Sequence, residues 1–497
     1  MTDTFPPNQT ELTVMLVTSS KFFVFLIAVF FIYWSIANKA NWRIGFLLIA
    51  SYLYYAQAGL WPLLLLFSVS TIDFNTTGAM KRFESKRARK ALLLVSLFID
   101  IGVLCVFKYA NFFIESAGSG LSFFGLHVQV RHLNLLAPIG ISFFIFQSVA
   151  YVVDVYRKDT EPAQNYFEYL TFISFFPTIL AGPILRAKQL LPQLRESKVL
   201  TAEVGGQALF LIAIGLIKKM AVADYLATNF VDRVFDFPDR FSSIEVLAAI
   251  YGYALQIYAD FSGYSDIAIG AAMLLGFKLP ENFNAPYRSE NLPEFWRRWH
   301  ISLSTWLRDY VFFTVVGRRV RNSTILYAGL IITMLVGGLW HGPTWTFVLW
   351  GALHGVGLAA YRWFSSWRSK KSNSEKWGWL FARRNTVVSR ALGVILTFHY
   401  ICFTWIFFRA ETVGQAKSVL LQLTNLTGDS TNLALPVLLI IVAGLLAQLT
   451  PDRFWEGFRN GFVRLPAVAQ AVVLVCLAAG LYTIASSDVV PFIYTRF

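Results

Sequence analysis

The chain is 497 residues long, 56% hydrophobic, 16% aromatic and only 14% charged, with a mean hydropathy of +0.54. Soluble domains carry about 25% charged residues, so this composition excludes an ordinary soluble protein and implies one polytopic membrane domain over residues 1–497. The formal net charge of +14 does not call for a nucleic-acid partner: its lysines and arginines cluster in connections between apolar runs, where cytoplasmic retention and anionic membrane lipids account for them.

Apolar runs lie at roughly 22–37, 44–58, 60–78, 91–113, 136–155, 166–184, 204–220, 246–275, 324–340, 344–361, 390–408, 433–449 and 466–485. They predict an all-α polytopic bundle of about 11 to 13 spans. The runs are continuously apolar and do not alternate with period two, which excludes a transmembrane barrel. Residues 1–20 contain no lysine or arginine, so no cleavable signal peptide is expected and 22–36 stays as the first span. The Gly/Pro-broken stretch 172–184, FISFFPTILAGPI, is expected to be re-entrant, which is tolerated only where the backbone is buried in protein or lines a wet cavity. Cys105, Cys402 and Cys476 sit inside apolar runs and read as small buried hydrophobes.

The three most basic connections, 81–90, 288–321 and 362–384, are assigned to the cytoplasm. Three crossings then place the N-terminus outside, and the turn at His341 points away from the cytoplasm or ends within the membrane. Residues 409–432 and the C-terminus fall outside, and 450–465 inside. In 288–321, Phe295, Trp296, Trp299 and Trp306 interleave with Arg297, Arg298 and Arg308, which predicts an interfacial amphipathic helix. A sharper reading makes this stretch the cytoplasmic wall of a substrate path. Arg297, Arg298 and Arg308 then meet a donor's phosphates beside Trp299, His300 and Trp306; taken alone, His300 reads first as solvated or structural.

Of six histidines, His127 and His132 lie in a loop, and His341, His354 and His399 lie within apolar sequence. An intramembrane imidazole is costly and marks a functional position. His341 is flanked by Gly337, Gly338, Gly342 and Pro343, so a helix break is expected there, freeing backbone N–H groups for an oxyanion. His354 lies roughly 15 Å further along the next helix, which makes it a poor direct partner. His354 and His399 also read as polar links between helices. Asp260 and Asp266 are six residues apart; on one straight helix they face different ways, whereas a break at Gly263 would gather Asp260, Ser262, Tyr264 and Ser265 around a polar cavity. Asn282 and Asn284 are suited to orient a substrate carbonyl or to cap a turn. No HExxH, metal-ligand spacing, Gly-rich phosphate loop or GxSxG is present. What remains is a histidine base with supporting acids and amides, the equipment for activating a hydroxyl in acyl transfer.

YADFSGYSDIAIG, ENFNAPYRSENLPEFWRRWHISLSTWLRDYVF and GGLWHGPTWTFVLWGALHG resemble the central block of the membrane-bound O-acyltransferase family, and more narrowly its bacterial alginate O-acetyltransferase branch. FKYANFF, PIGISFFIFQSVAYVVDVYR and FFPTILAGPILR extend the likeness to roughly 40–410. The resemblance implies that His341 is the catalytic histidine, with Asp260, Asn284, His354 and His399 as weaker neighbours. It implies a cytoplasmic donor, acetyl-CoA, acting as substrate with no resident cofactor, and an acceptor reached through a tunnel across the bacterial inner membrane. The implied acceptor is an exopolysaccharide, alginate first, with acetylated cellulose, peptidoglycan or D-alanyl transfer as alternatives. Handover implies periplasmic acetyltransferase or acyl-relay partner proteins and a polysaccharide synthesis complex. A transporter or a scaffold remains the reading from a different class.

Overall fold

The computed structural model describes residues 17–129, 131–135, 137–319, 322–372 and 386–484. Arg321, most of the basic loop beyond Ser372, and both chain ends lie outside the described residues, so the expectations placed there are not addressed. Among the described residues every regular element is helical, and the protein is a multi-pass membrane bundle. Five helices are long and apolar enough to cross a membrane: Leu60–Arg82, Lys86–Phe123, Ser323–His341, Val387–Arg409 and Ala467–Ile484. The pair Leu435–Leu449 and Asp452–Val463, bent by 100°, makes six if it counts as one span. Other runs counted from the sequence fold as shorter helices such as Ser20–Ser35, or carry buried charge, as Ser243–Leu274 does.

The chain divides into two compact units. The first comprises Met1–Ala110, Leu133–Leu200 and Ala271–Leu279. Its core is aromatic, with Phe22, Tyr33, Tyr54, Tyr55, Phe144 and Tyr169 wholly buried. Arg43 is buried too, and its guanidinium donates to the carbonyls of Ala37 (2.7 Å), Leu194 (2.8 Å) and Glu196 (2.7 Å). A single side chain thereby satisfies carbonyls that helix ends leave without intrahelical partners. The stretch expected to be re-entrant leaves the helix Tyr166–Ser174 at Phe175 and runs without helix until Ala187–Arg195. Its backbone is sunk in protein: Phe175, Phe176, Ile179 and Leu185 are fully buried, and the Phe176 N–H donates to Ser51 Oγ at 3.1 Å. Gly140 adopts φ +79° where the chain passes Ile179 and enters the helix Ile141–Arg157; a Cβ there would lie 2.7 Å from the Ile179 carbonyl oxygen.

The second unit comprises Asn111–His132, Thr201–Gly270 and Pro280–Phe497. Its axis is the 32-residue helix Ser243–Leu274, which is continuous through Gly263. The break expected at Gly263 is absent because that glycine serves a different purpose. A Cβ there would stand 2.7 Å from the Gly215 carbonyl oxygen of Ala202–Leu216, so the residue permits backbone approach between two helices. Ser323–His341 and Trp345–Ser372 form a tight hairpin. Along it a methyl at Gly338 would overlap the Phe347 carbonyl, one at Gly351 the Met334 carbonyl, and one at Gly355 would come within 2.7 Å of Ile331 Cα.

Residues 288–321 are not one amphipathic helix. They break into Leu292–Arg298, Ile301–Trp306, a π-helical turn Leu307–Phe312 and Phe313–Val316. His300 interrupts them in the left-handed region at φ 40°. The reason is burial: Phe295, Trp296, Trp299, His300 and Trp306 are packed inside the unit instead of lying on a lipid surface.

Candidate active site

The hairpin turn fixes His341. Its helix stops there because Gly342 precedes Pro343 and takes the extended conformation such a residue prefers, φ −167° and ψ 156°. His341 stands at the C-terminal end of its helix, which presents carbonyls and not the N–H groups expected there. His341 is 2% exposed, and its ring is walled by Trp340 (centroids 4.9 Å), Trp350 (5.0 Å), Phe408 (5.0 Å) and Phe347 (6.3 Å). Phe408 arrives on Val387–Arg409, so three helices supply the rings around His341.

Trp340 also touches His300, at 5.7 Å between ring centroids, so one indole contacts both imidazoles. Asn282 orients the second. Its Oδ1 accepts from the Ser302 N–H (3.1 Å), the Ser302 hydroxyl (2.9 Å) and His300 Nδ1 (3.2 Å), while its Nδ2 donates to Ser265 Oγ at 3.2 Å. The backbone N–H of Ser302 can only donate, which fixes the amide's orientation and makes His300 Nδ1 the protonated nitrogen. Nε2 is left as the acceptor nitrogen of the neutral ring. Burial pushes His300 down to about 3, so the ring is neutral at physiological pH.

His354 is not a second base. Trp296 Nε1, which only donates, reaches its Nδ1 at 3.3 Å, so its proton lies on Nε2 and goes to Thr404 Oγ1 at 3.0 Å. Both nitrogens are engaged in linking helices. Trp350 contacts both His354 and His341, its ring standing 4.7 Å from one and 5.0 Å from the other. His399 is exposed; its Nδ1–H donates to the Ile395 carbonyl (2.7 Å) and its Nε2 accepts from the Tyr251 hydroxyl (2.8 Å).

The two acids are ion-paired. Asp260 meets Lys219 at 2.7 Å and Asp266 meets Lys218 at 2.6 Å, with Asp224 adding a 2.6 Å contact to Lys219. Two lysines inside the apolar run 204–220 were the available signal for these pairs, and spacing among the acids alone misses them. Asn284 is exposed and apart from Asn282, with its Oδ1 accepting from Arg288 (3.0 Å) and Arg298 (3.3 Å). Of the expected donor-binding set, Arg297 is exposed, Arg298 is held by Glu294 at 3.0 Å and Arg308 by Asp309 at 2.8 Å. Trp299 and Trp306 are buried among other rings, against Trp405 (5.0 Å) and Tyr310 (5.2 Å).

A buried imidazole beside a second, oriented imidazole in an aromatic chamber suits proton transfer from a hydroxyl with water kept out. Comparison with known proteins points the same way. A probable alginate O-acetylase AlgI of Pseudomonas putida is 33% identical over 97% of this chain and 100% of its own length. A peptidoglycan O-acetyltransferase of Helicobacter pylori is 34% identical over 77% of this chain and 74% of its own. A teichoic acid D-alanyltransferase of Bacillus subtilis is 31% identical over 57% of this chain and 72% of its own. Residues 51–409 match MBOAT, the membrane-bound O-acyltransferase family. The chain is therefore an O-acyltransferase and belongs to that family.

Proposed function

We propose that this enzyme takes acetyl groups from cytoplasmic acetyl-CoA and passes them across the bacterial inner membrane for O-acetylation of an exopolysaccharide, alginate first. The observation that carries this reading is the likeness to an alginate O-acetylase over nearly the whole of both chains, with His341 buried among aromatic rings. An acceptor hydroxyl oxygen attacks the thioester carbonyl carbon while His341 takes the hydroxyl proton. The C–S bond then breaks, and the proton passes to the departing thiolate. In a two-step variant an imidazole nitrogen attacks the thioester carbon, the C–S bond breaks and the thiolate takes the ring N–H proton; the hydroxyl oxygen then attacks the acetyl-imidazole, the C–N bond breaks and the hydroxyl proton returns to the ring. His300, held by Asn282, offers Nε2 on the other side of Trp340. The exposed Arg297 and Arg308 are the side chains of the basic segment best placed to meet donor phosphates. Delivery to the polymer calls for a periplasmic acetyltransferase or acyl-relay protein and a polysaccharide synthesis complex, with both termini of this chain outside. Peptidoglycan acetylation is the second reading, favoured by the Helicobacter pylori relative.

The test is His341→Ala at matched protein level, with ester-bound acetate measured separately on exopolysaccharide and on peptidoglycan. The proposal expects loss of exopolysaccharide acetate. Acetate retained at the wild-type level removes His341 from the mechanism, and loss on peptidoglycan alone moves the enzyme to the second reading.

A further inference from the structure

The first unit contains a second group of buried acids, treated differently from Asp260 and Asp266. Asp73 on Leu60–Arg82 and Asp100 on Lys86–Leu104 are 1% and 0% exposed and lie against one another. Ser96 and Ser148 lie against Asp73, and Tyr169 stands beside both carboxyls and Ser148. Four helices therefore converge, those bearing Asp73, Asp100, Ser148 and Tyr169. Among the described residues neither carboxyl has a lysine, arginine or histidine against it. Asp260 and Asp266, by contrast, each have a lysine against them, Lys219 and Lys218.

Five oxygens here are buried and find no hydrogen-bond partner outside this cluster: Asp73 Oδ2, both carboxyl oxygens of Asp100, Ser148 Oγ and Tyr169 OH. Buried polar atoms left this way cost free energy unless something else satisfies them. Oxygens alone, two of the side chains acidic, form the donor set of a hard cation. Among the described residues no three His, Cys, Asp or Glu side chains gather as a divalent-metal site would require. One monovalent cation and one proton shared by the carboxyls balance the two acids. We propose that Asp73, Asp100, Ser148 and Tyr169 form a monovalent-cation site that ties these four helices together, with Na⁺ as its probe.

The experiment uses the full-length protein in detergent at fixed pH, with NaCl exchanged for N-methyl-D-glucamine chloride at constant ionic strength. The wild-type melting temperature is expected to rise with Na⁺ and to saturate, as for a ligand bound only by the folded state. Asp100→Asn is expected to abolish the dependence, and Tyr169→Phe and Ser148→Ala to shift half-saturation to higher Na⁺. The two milder variants carry the test if Asp100→Asn does not fold. An identical wild-type melting temperature in both salts overturns the proposal. So does a melting temperature that, when the salt exchange is repeated at a second pH, changes with pH but not with Na⁺, which would mean that the pair holds protons only. A Na⁺ response unchanged in all three variants also overturns it, because the ion then binds elsewhere.

Discussion

Replacing Asn282 by alanine removes one acceptor that serves three donors and one donor that serves Ser265. The donors recover unequally. The Ser302 hydroxyl can rotate, and His300 can move its proton to Nε2, but the Ser302 backbone N–H has no alternative within a buried turn. One orphaned N–H costs about 1–3 kcal/mol of stability. The functional cost is separate: once the proton moves, Nε2 ceases to be an acceptor. A loss of only about 1.4 kcal/mol in transition-state stabilisation is a tenfold fall in rate, so Asn282→Ala is expected to lower kcat by at least about tenfold with a smaller change in KM. Asn282→Asp keeps all three acceptances and places a carboxylate on Nδ1. It should therefore retain more activity than alanine and shift the acid limb of the pH profile upward. The assay is acetyl transfer from acetyl-CoA by purified protein, with folded protein quantified by size-exclusion chromatography. Alanine activity within about twofold of wild type would refute the tautomer argument.

Lys219→Met leaves Asp260 buried without its partner at a site where both side chains are 5% exposed. We expect a destabilisation of about 3–5 kcal/mol, partly recovered in Lys219→Met/Asp260→Leu, read as melting temperature in detergent; a double variant no better than the single contradicts the pairing. Gly263→Ala should destabilise by about 1–3 kcal/mol because its Cβ meets the Gly215 carbonyl. Gly45→Ala, with nothing within 4 Å and inside the helix Ala40–Ala56, should gain about 0.5–1 kcal/mol; thermal scans that rank the two alike would be inconsistent with the close approach. With His300 pushed down to about 3, the unfolded chain takes a proton between about pH 6.5 and 3 that the folded residue refuses. Stability from this residue is thus complete above that window and lost as pH falls through it. His300→Gln should flatten the decline in melting temperature from pH 7 to 5, and an unchanged slope would exclude His300 as its source.

The turn at His341 was legible because Gly342 and Pro343 act locally, through steric limits that hold in any context. The Gly/Pro-broken stretch at 172–184 was legible for the same reason, and its burial followed from the need to satisfy backbone polar groups. What escaped was tertiary. Gly263 looks like a helix breaker until the Gly215 backbone is seen opposite it. Residues 288–321 carry a helical spacing of aromatics and arginines, yet burial of Trp299 and His300 overrides it and forces a left-handed residue between two short helices. The pairing of His300 with Asn282 spans 18 residues and depends on that same kink. Spacing along one axis set His354 apart from His341, but could not show that the Trp350 ring stands 4.7 Å from one and 5.0 Å from the other.

The glycine contacts of the Ser323–His341 and Trp345–Ser372 hairpin bear on how the enzyme tolerates different lipids. Backbone against backbone leaves no sliding room, so the depth of His341 is set by the hairpin's own register. A thicker or thinner bilayer must then be accommodated at the periphery, by tilt of weakly packed helices such as Ala467–Ile484, whose residues are mostly exposed. Acyl transfer in vesicles of different acyl-chain length should accordingly vary little, even where the orientation of that outer helix changes.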